Sequence, residues 1–83
     1  MGNKGFVRLS AIWRMLDQCA EGHTRVLKEH RWWVTWRGRT YRGLPKGPGR
    51  KQDADVRFQQ VGKLVAVLRI DRDCAARFFR QKL

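Results

Sequence analysis

Arg31-Trp-Trp-Val-Thr-Trp-Arg37-Gly38-Arg-Thr-Tyr-Arg-Gly-Leu44 is the stretch on which the fold turns. Two runs rich in aromatic and β-branched residues flank Arg37-Gly38, and such residues fit a pleated, half-buried surface. A two-residue turn at Arg37-Gly38 makes the stretch a β-hairpin. In that register Trp36 faces Arg39, Val34 faces Tyr41 and Trp32 faces Gly43. These share one side, which suits a core. Trp33, Thr35, Thr40 and Arg42 take the other side. A slip of one residue would exchange the two sides.

Working outward, Thr24 to Lys28 (TRVLK) reads as a third strand. Before it, Leu9, Ile12, Trp13, Leu16 and Ala20 recur at helical spacing, with Ser10 near the start and Gly22 just beyond the end. Residues 1–5 are polar and Gly-rich and read as a flexible end. After the hairpin, Leu44 to Asp53 holds both prolines and reads as a basic loop. Val61, Leu64, Val65 and Leu68 make a helical stripe, but VRFQQV-GK-LVAVLRI also fits a second hairpin around Gly62-Lys63. Periodicity does not choose between the two. Asp71 fits an N-cap, and Cys74, Ala75, Phe78 and Phe79 form the apolar face of a last helix. No internal repeat and no domain boundary is visible. The expectation is one α+β domain over residues 1–83: a helix, a three-stranded antiparallel sheet, then C-terminal helices on one sheet face. The alternative is α-β-hairpin-β-hairpin-α.

The chain has 83 residues and a formal charge of +12, from 19 Lys+Arg against 7 Asp+Glu. Such a charge repels itself unless a polyanion offsets it. Nine Lys/Arg and a single acid, Glu29, lie between Arg25 and Lys51, so +8 of the +12 comes from this third of the chain. Three of the four tryptophans and the only tyrosine lie there too. Cations attract phosphates with release of counterions, aromatic faces stack on unpaired bases, and arginine does both. The expected activity is nucleic-acid binding, RNA favoured, through Arg31, Trp33, Arg37, Arg39, Arg42, Lys46, Arg50 and Lys51. Trp32, Val34 and Trp36 are the core stripe. The segment from Gly43 to Lys51 either wraps a phosphate with Lys46, Arg50 and Lys51 or is a plain linker. It lacks the Gly-Lys-Ser/Thr of a Walker A loop.

His30 is the acid–base candidate, between Glu29 and Arg31 where the tryptophan strand begins. It would serve as a general base. His23 reads as a loop residue. Cys19 and Cys74 are too few for the disulfide framework of a small secreted protein, and whether they bond to each other is open. With the two histidines they match no zinc-finger spacing, and no cofactor is expected. No signal peptide is visible, and the longest apolar run, Leu64 to Leu68, is too short to span a bilayer. A cytoplasmic protein without a membrane partner is expected.

The order of elements from Leu9 to Phe79 resembles the HicA-type mRNA interferase toxins, small basic proteins with a double-stranded-RNA-binding-like fold. The resemblance rests on Leu9-Ser-Ala-Ile-Trp-Arg-Met-Leu, on Arg42-Gly-Leu-Pro at a strand end, on Val61-Gly-Lys-Leu-Val-Ala-Val-Leu, and on Ile70-Asp-Arg-Asp before the last helix. It implies RNA binding, a toxin–antitoxin setting and an antitoxin partner covering the basic face. The family's catalytic His, within a Gly-Ser-His motif on the second strand, is replaced here by Trp32 or Trp33. Two readings follow: a catalytically inactive RNA binder, or an active interferase that uses His30 instead. A third reading is a phage- or plasmid-borne protein that binds an acidic host protein.

Overall fold

In the computed structural model, which describes residues 5–46 and 54–83, the hairpin forms as its turn chemistry requires. Strands β3 (Arg31–Trp36) and β4 (Arg39–Pro45) flank Arg37-Gly38, whose φ angles of 52° and 80° belong to a primed turn matched to strand twist. Trp36 pairs with Arg39, Thr35 with Thr40 and Val34 with Tyr41. Past Val34 the register shifts, and Trp32 lies opposite Leu44 rather than Gly43. Arg42 and Gly43 together oppose Trp33, which is a β-bulge. The bulge has a packing cause. A Cβ at residue 43 would sit 2.9 Å from the Tyr41 hydroxyl and 3.1 Å from Gln60 Nε2, and the Gln60 amide donates to the Gly43 carbonyl. Tyr41 and Leu44 thereby reach the same side of the sheet. Leu44 and Pro45, expected in the loop, instead end β4, and Leu44 is fully buried.

The sheet is completed by β2 (Thr24–Lys28), antiparallel to β3, in the order β2-β3-β4. Its turn is Glu29-His30, with φ of 53° and 66°. Neither residue is a glycine or asparagine, so the sequence carries no sign of this turn.

Two three-residue strands were not expected. β1 (Phe6–Arg8) and β5 (Asp55–Arg57) pair antiparallel about Val7 and Val56. Each runs directly into a helix, α1 (Leu9–Cys19) and α2 (Phe58–Leu68). The Leu9 N–H donates to the Ala54 carbonyl and the Phe58 N–H to the Gly5 carbonyl, both at 2.8 Å. Each bond satisfies a first-turn donor that has no partner within its helix. The two bonds, like the pairing, interchange when the chain is shifted by 49 residues. Val7 then falls on Val56, Arg8 on Arg57, Ile12 on Val61 and Leu16 on Val65. The expectation of no internal repeat is therefore corrected to one short strand–helix repeat. Because α2 runs unbroken through Gly62-Lys63, the second-hairpin alternative falls away.

Helix α3 (Arg72–Phe79) is capped by the Asp71 carboxylate, which accepts from the Asp73 N–H at 3.1 Å. The Cys19–Cys74 disulfide joins α1 to α3, with Cα atoms 5.9 Å apart. The core takes Leu9, Ile12, Met15 and Leu16 from α1 and Val61, Leu64, Val65 and Leu68 from α2, closed by Val34, Leu44 and Ala75. Trp32 packs into its edge, its ring 5.3 Å from Trp13 in a T-shaped contact. The helices thus cover one face of β2-β3-β4. The shortest dimension of the molecule is 17 Å, room for a sheet and one helical layer. Among the described residues, no helix is long and apolar enough to cross a membrane.

Candidate nucleic-acid interface

The face of β2-β3-β4 opposite the helices is built by strand alternation. Once Trp32 and Val34 turn to the core, Arg31, Trp33 and Thr35 must turn away from it. Cross-strand pairing brings Val26 beside Trp33, Lys28 beside Arg31 and Thr24 beside Thr35. Val26 is 54% exposed although apolar, so nothing among the described residues covers this face.

Trp33 stands at its centre. Lys28 Nζ lies 4.6 Å from its ring centroid and the Arg42 guanidinium carbon 5.0 Å. One cation comes from β2 and the other from β4, so the half-buried indole is flanked by positive charge from both neighbouring strands. The Thr35 and Thr40 hydroxyls, bonded to each other at 3.0 Å, occupy the adjoining row. A hydroxyl pair uses one of its two protons internally and keeps the other for a ligand.

The residues singled out in the sequence divide. Arg31, Trp33 and Arg42 come together on the open face. Lys28 joins them, and sequence reasoning passed it over. Its signal was the shared parity of Val26 and Lys28, which meets Trp33 only through the unmarked turn at Glu29-His30. Arg37 lies apart, at the hairpin tip, its guanidinium 4.4 Å over the Trp36 ring. Arg39 pairs with Trp36, on the side of the helices. Trp36 itself packs against the core and donates its indole N–H to the Glu21 carbonyl at 3.0 Å. Lys46 is exposed just past β4. Arg50 and Lys51, with most of the proposed phosphate-wrapping segment, lie outside the described residues.

His30 is exposed at the second position of the β2–β3 turn. Among the described residues no hydrogen bond or ion pair orients it. His23 is held in its loop, its Nδ1 within 3.0 Å of the Ala20 carbonyl. Arg25, on the helix side, lies 4.4 Å over Trp13 and 3.6 Å from the Asp17 carboxylate.

Magnitudes indicate what the open face can do. An exposed cation–π contact is worth about 0.5–1 kcal/mol, whereas a base stacked on an aromatic side chain contributes about 1–3 kcal/mol. A base can therefore displace Lys28 or Arg42 from the indole, and the freed cation finds a phosphate. No protein-family model, no characterised protein and no solved structure matches this chain.

Proposed function

We propose that the chain binds single-stranded RNA along the open face of β2-β3-β4. The observation that carries this reading is Trp33, flanked by Lys28 and Arg42 on a sheet face that no described element covers. Single strands present unstacked bases to an indole, while the bases of a duplex stay inside the stack. The free hydroxyl proton of the Thr35–Thr40 pair is matched to a ribose 2′-OH, which both donates and accepts. The chain's +12 charge supplies the long-range attraction.

The helix–three strands–helix order of α1, β2, β3, β4 and α2 supports a relationship to the HicA-type interferases. In this reading the chain is a member that binds RNA in the cytoplasm without cleaving it. Titrating an unstructured RNA while following Trp fluorescence tests the binding. Quenching and an affinity that falls steeply between low and moderate salt are expected. Affinity indifferent to salt would sink the proposal. Incubating the protein with RNA tests the second half. Cleavage by the wild type that disappears in His30→Ala would make the chain an active interferase instead.

A further inference from the structure

A second concave surface lies away from the open sheet face, where β1, β5, α2 and the C-terminal residues meet. Phe6, Arg57, Phe58, Gln59, Lys82 and Leu83 line it, and Gly62 opens onto it. Its volume is about 460 Å³, in the range of surfaces that enclose a ligand group. The ribbon builds it: Phe6 and Arg57 are partners in the β1–β5 register, and the guanidinium sits 5.6 Å over the Phe6 ring. Phe58 is fixed by an edge contact with Phe79 at 5.7 Å. Phe6 nevertheless remains 59% exposed, the most of any large apolar residue described. An aromatic left in water beside a groove marks a contact surface more often than a packing fault.

Its chemistry selects the ligand. No acidic side chain lines the groove, and its two charges, Arg57 and Lys82, are both positive. Its walls are otherwise Phe6, Phe58 and Leu83, with Gln59 as the one neutral polar side chain. A nucleobase would bring several donors and acceptors with little to meet them, each costing about 1–3 kcal/mol if left unpaired. A large apolar side chain brings none. We propose that this groove docks an acidic segment of a partner protein. The segment inserts one large apolar side chain beside Phe6 and Phe58 while flanking carboxylates pair with Arg57 and Lys82. Charge complementarity argues for this occupant: two lining cations on a chain of net +12 favour an acidic sequence over a neutral one. The site shares no residue with the open sheet face, so it stands or falls independently of the RNA reading.

The probe is a labelled peptide with glutamates on either side of a central phenylalanine, titrated with the full chain and followed by fluorescence anisotropy. Replacing that phenylalanine by alanine should weaken binding about tenfold or more, as loss of a pocketed anchor does. Gly62→Leu should do the same from the protein side. A Cβ at Gly62 meets nothing within 4 Å, so this variant fills the groove and should keep the wild-type melting temperature. Lys82→Glu, an exposed change, should weaken the peptide several-fold through charge repulsion and guards against a folding defect in the first variant. Trp33→Ala should leave peptide binding unchanged. No binding of the peptide overturns the proposal, as does equal binding of polyglutamate or indifference to both protein variants. Binding that appears only after residues 1–4 are deleted also overturns it, because the groove then belongs to the chain's own end. So does a Gly62→Leu defect confined to single-stranded RNA, which would make the groove part of a nucleic-acid surface.

Discussion

Trp33 is the residue whose environment differs most from that of its neighbours. Trp32 and Trp36 anchor the sheet to the core, whereas Trp33 is turned away with a cation on each side. Trp33→Ala should weaken single-stranded RNA binding by about 1–3 kcal/mol. Only a cross-strand contact worth about 0.2–1 kcal/mol of stability is lost, so the urea midpoint should barely move. Anisotropy and urea titrations on the same variant separate the two effects. Lys28→Gln and Arg42→Gln should each lower the slope of log affinity against log salt by about 0.7, the value for one phosphate contact on a single strand. Arg25→Gln, with its partners Asp17 and Trp13 on the helix side, should leave that slope unchanged. The outward position of Trp33 was legible because a marked turn, Arg37-Gly38, sits four residues on and fixes the parity of the strand. Lys28 was not legible. Its parity relative to Trp33 depends on Glu29 and His30 adopting φ of 53° and 66°, a choice imposed by the two strands rather than by the turn residues.

Among the elements, α1 and α2 were plain in the sequence, because each repeats apolar residues three and four apart over a length that strands do not reach. That stripe could not by itself exclude a second hairpin over residues 56–70. What decides is burial: Val61, Leu64, Val65 and Leu68 are all buried together, which a two-residue alternation would not achieve. β1 and β5 were invisible, since three residues carry no period and their partner lies 49 positions away. The bulge in β4 was equally hidden, because it answers to Gln60 on α2 and not to anything within the hairpin. Gly43→Ala tests that account. The added Cβ would meet the Tyr41 hydroxyl and the Gln60 amide at 2.9 and 3.1 Å. Stability should fall by about 1–3 kcal/mol, the usual cost of overpacking, as read by urea unfolding. Gly62→Ala, with open space around it, should instead gain a few tenths of a kcal/mol up to about 1 kcal/mol from helix propensity.

For the molecule as a whole, a thin core carries a large like charge, and one covalent bond spans most of the chain. The Cys19–Cys74 bridge closes a separation of 55 residues, which the chain-entropy view equates with about 4 kcal/mol of stability. Unfolding in urea with and without a thiol reductant should show a difference of that order, and Cys74→Ser should reproduce the reduced curve. A reducing cytosol keeps most such bonds open, so the same comparison shows how the chain stands without it. The bridge also changes what a broken backbone means. Every peptide bond from Cys19 to Cys74 lies inside one closed ring, which takes in all of β2, β3, β4, β5 and α2. A protease that cuts once within the ring opens it but releases nothing. The two pieces remain one molecule by covalent linkage, with β1 still laid against β5 and Trp33 still on its sheet, and they part only on a reducing gel.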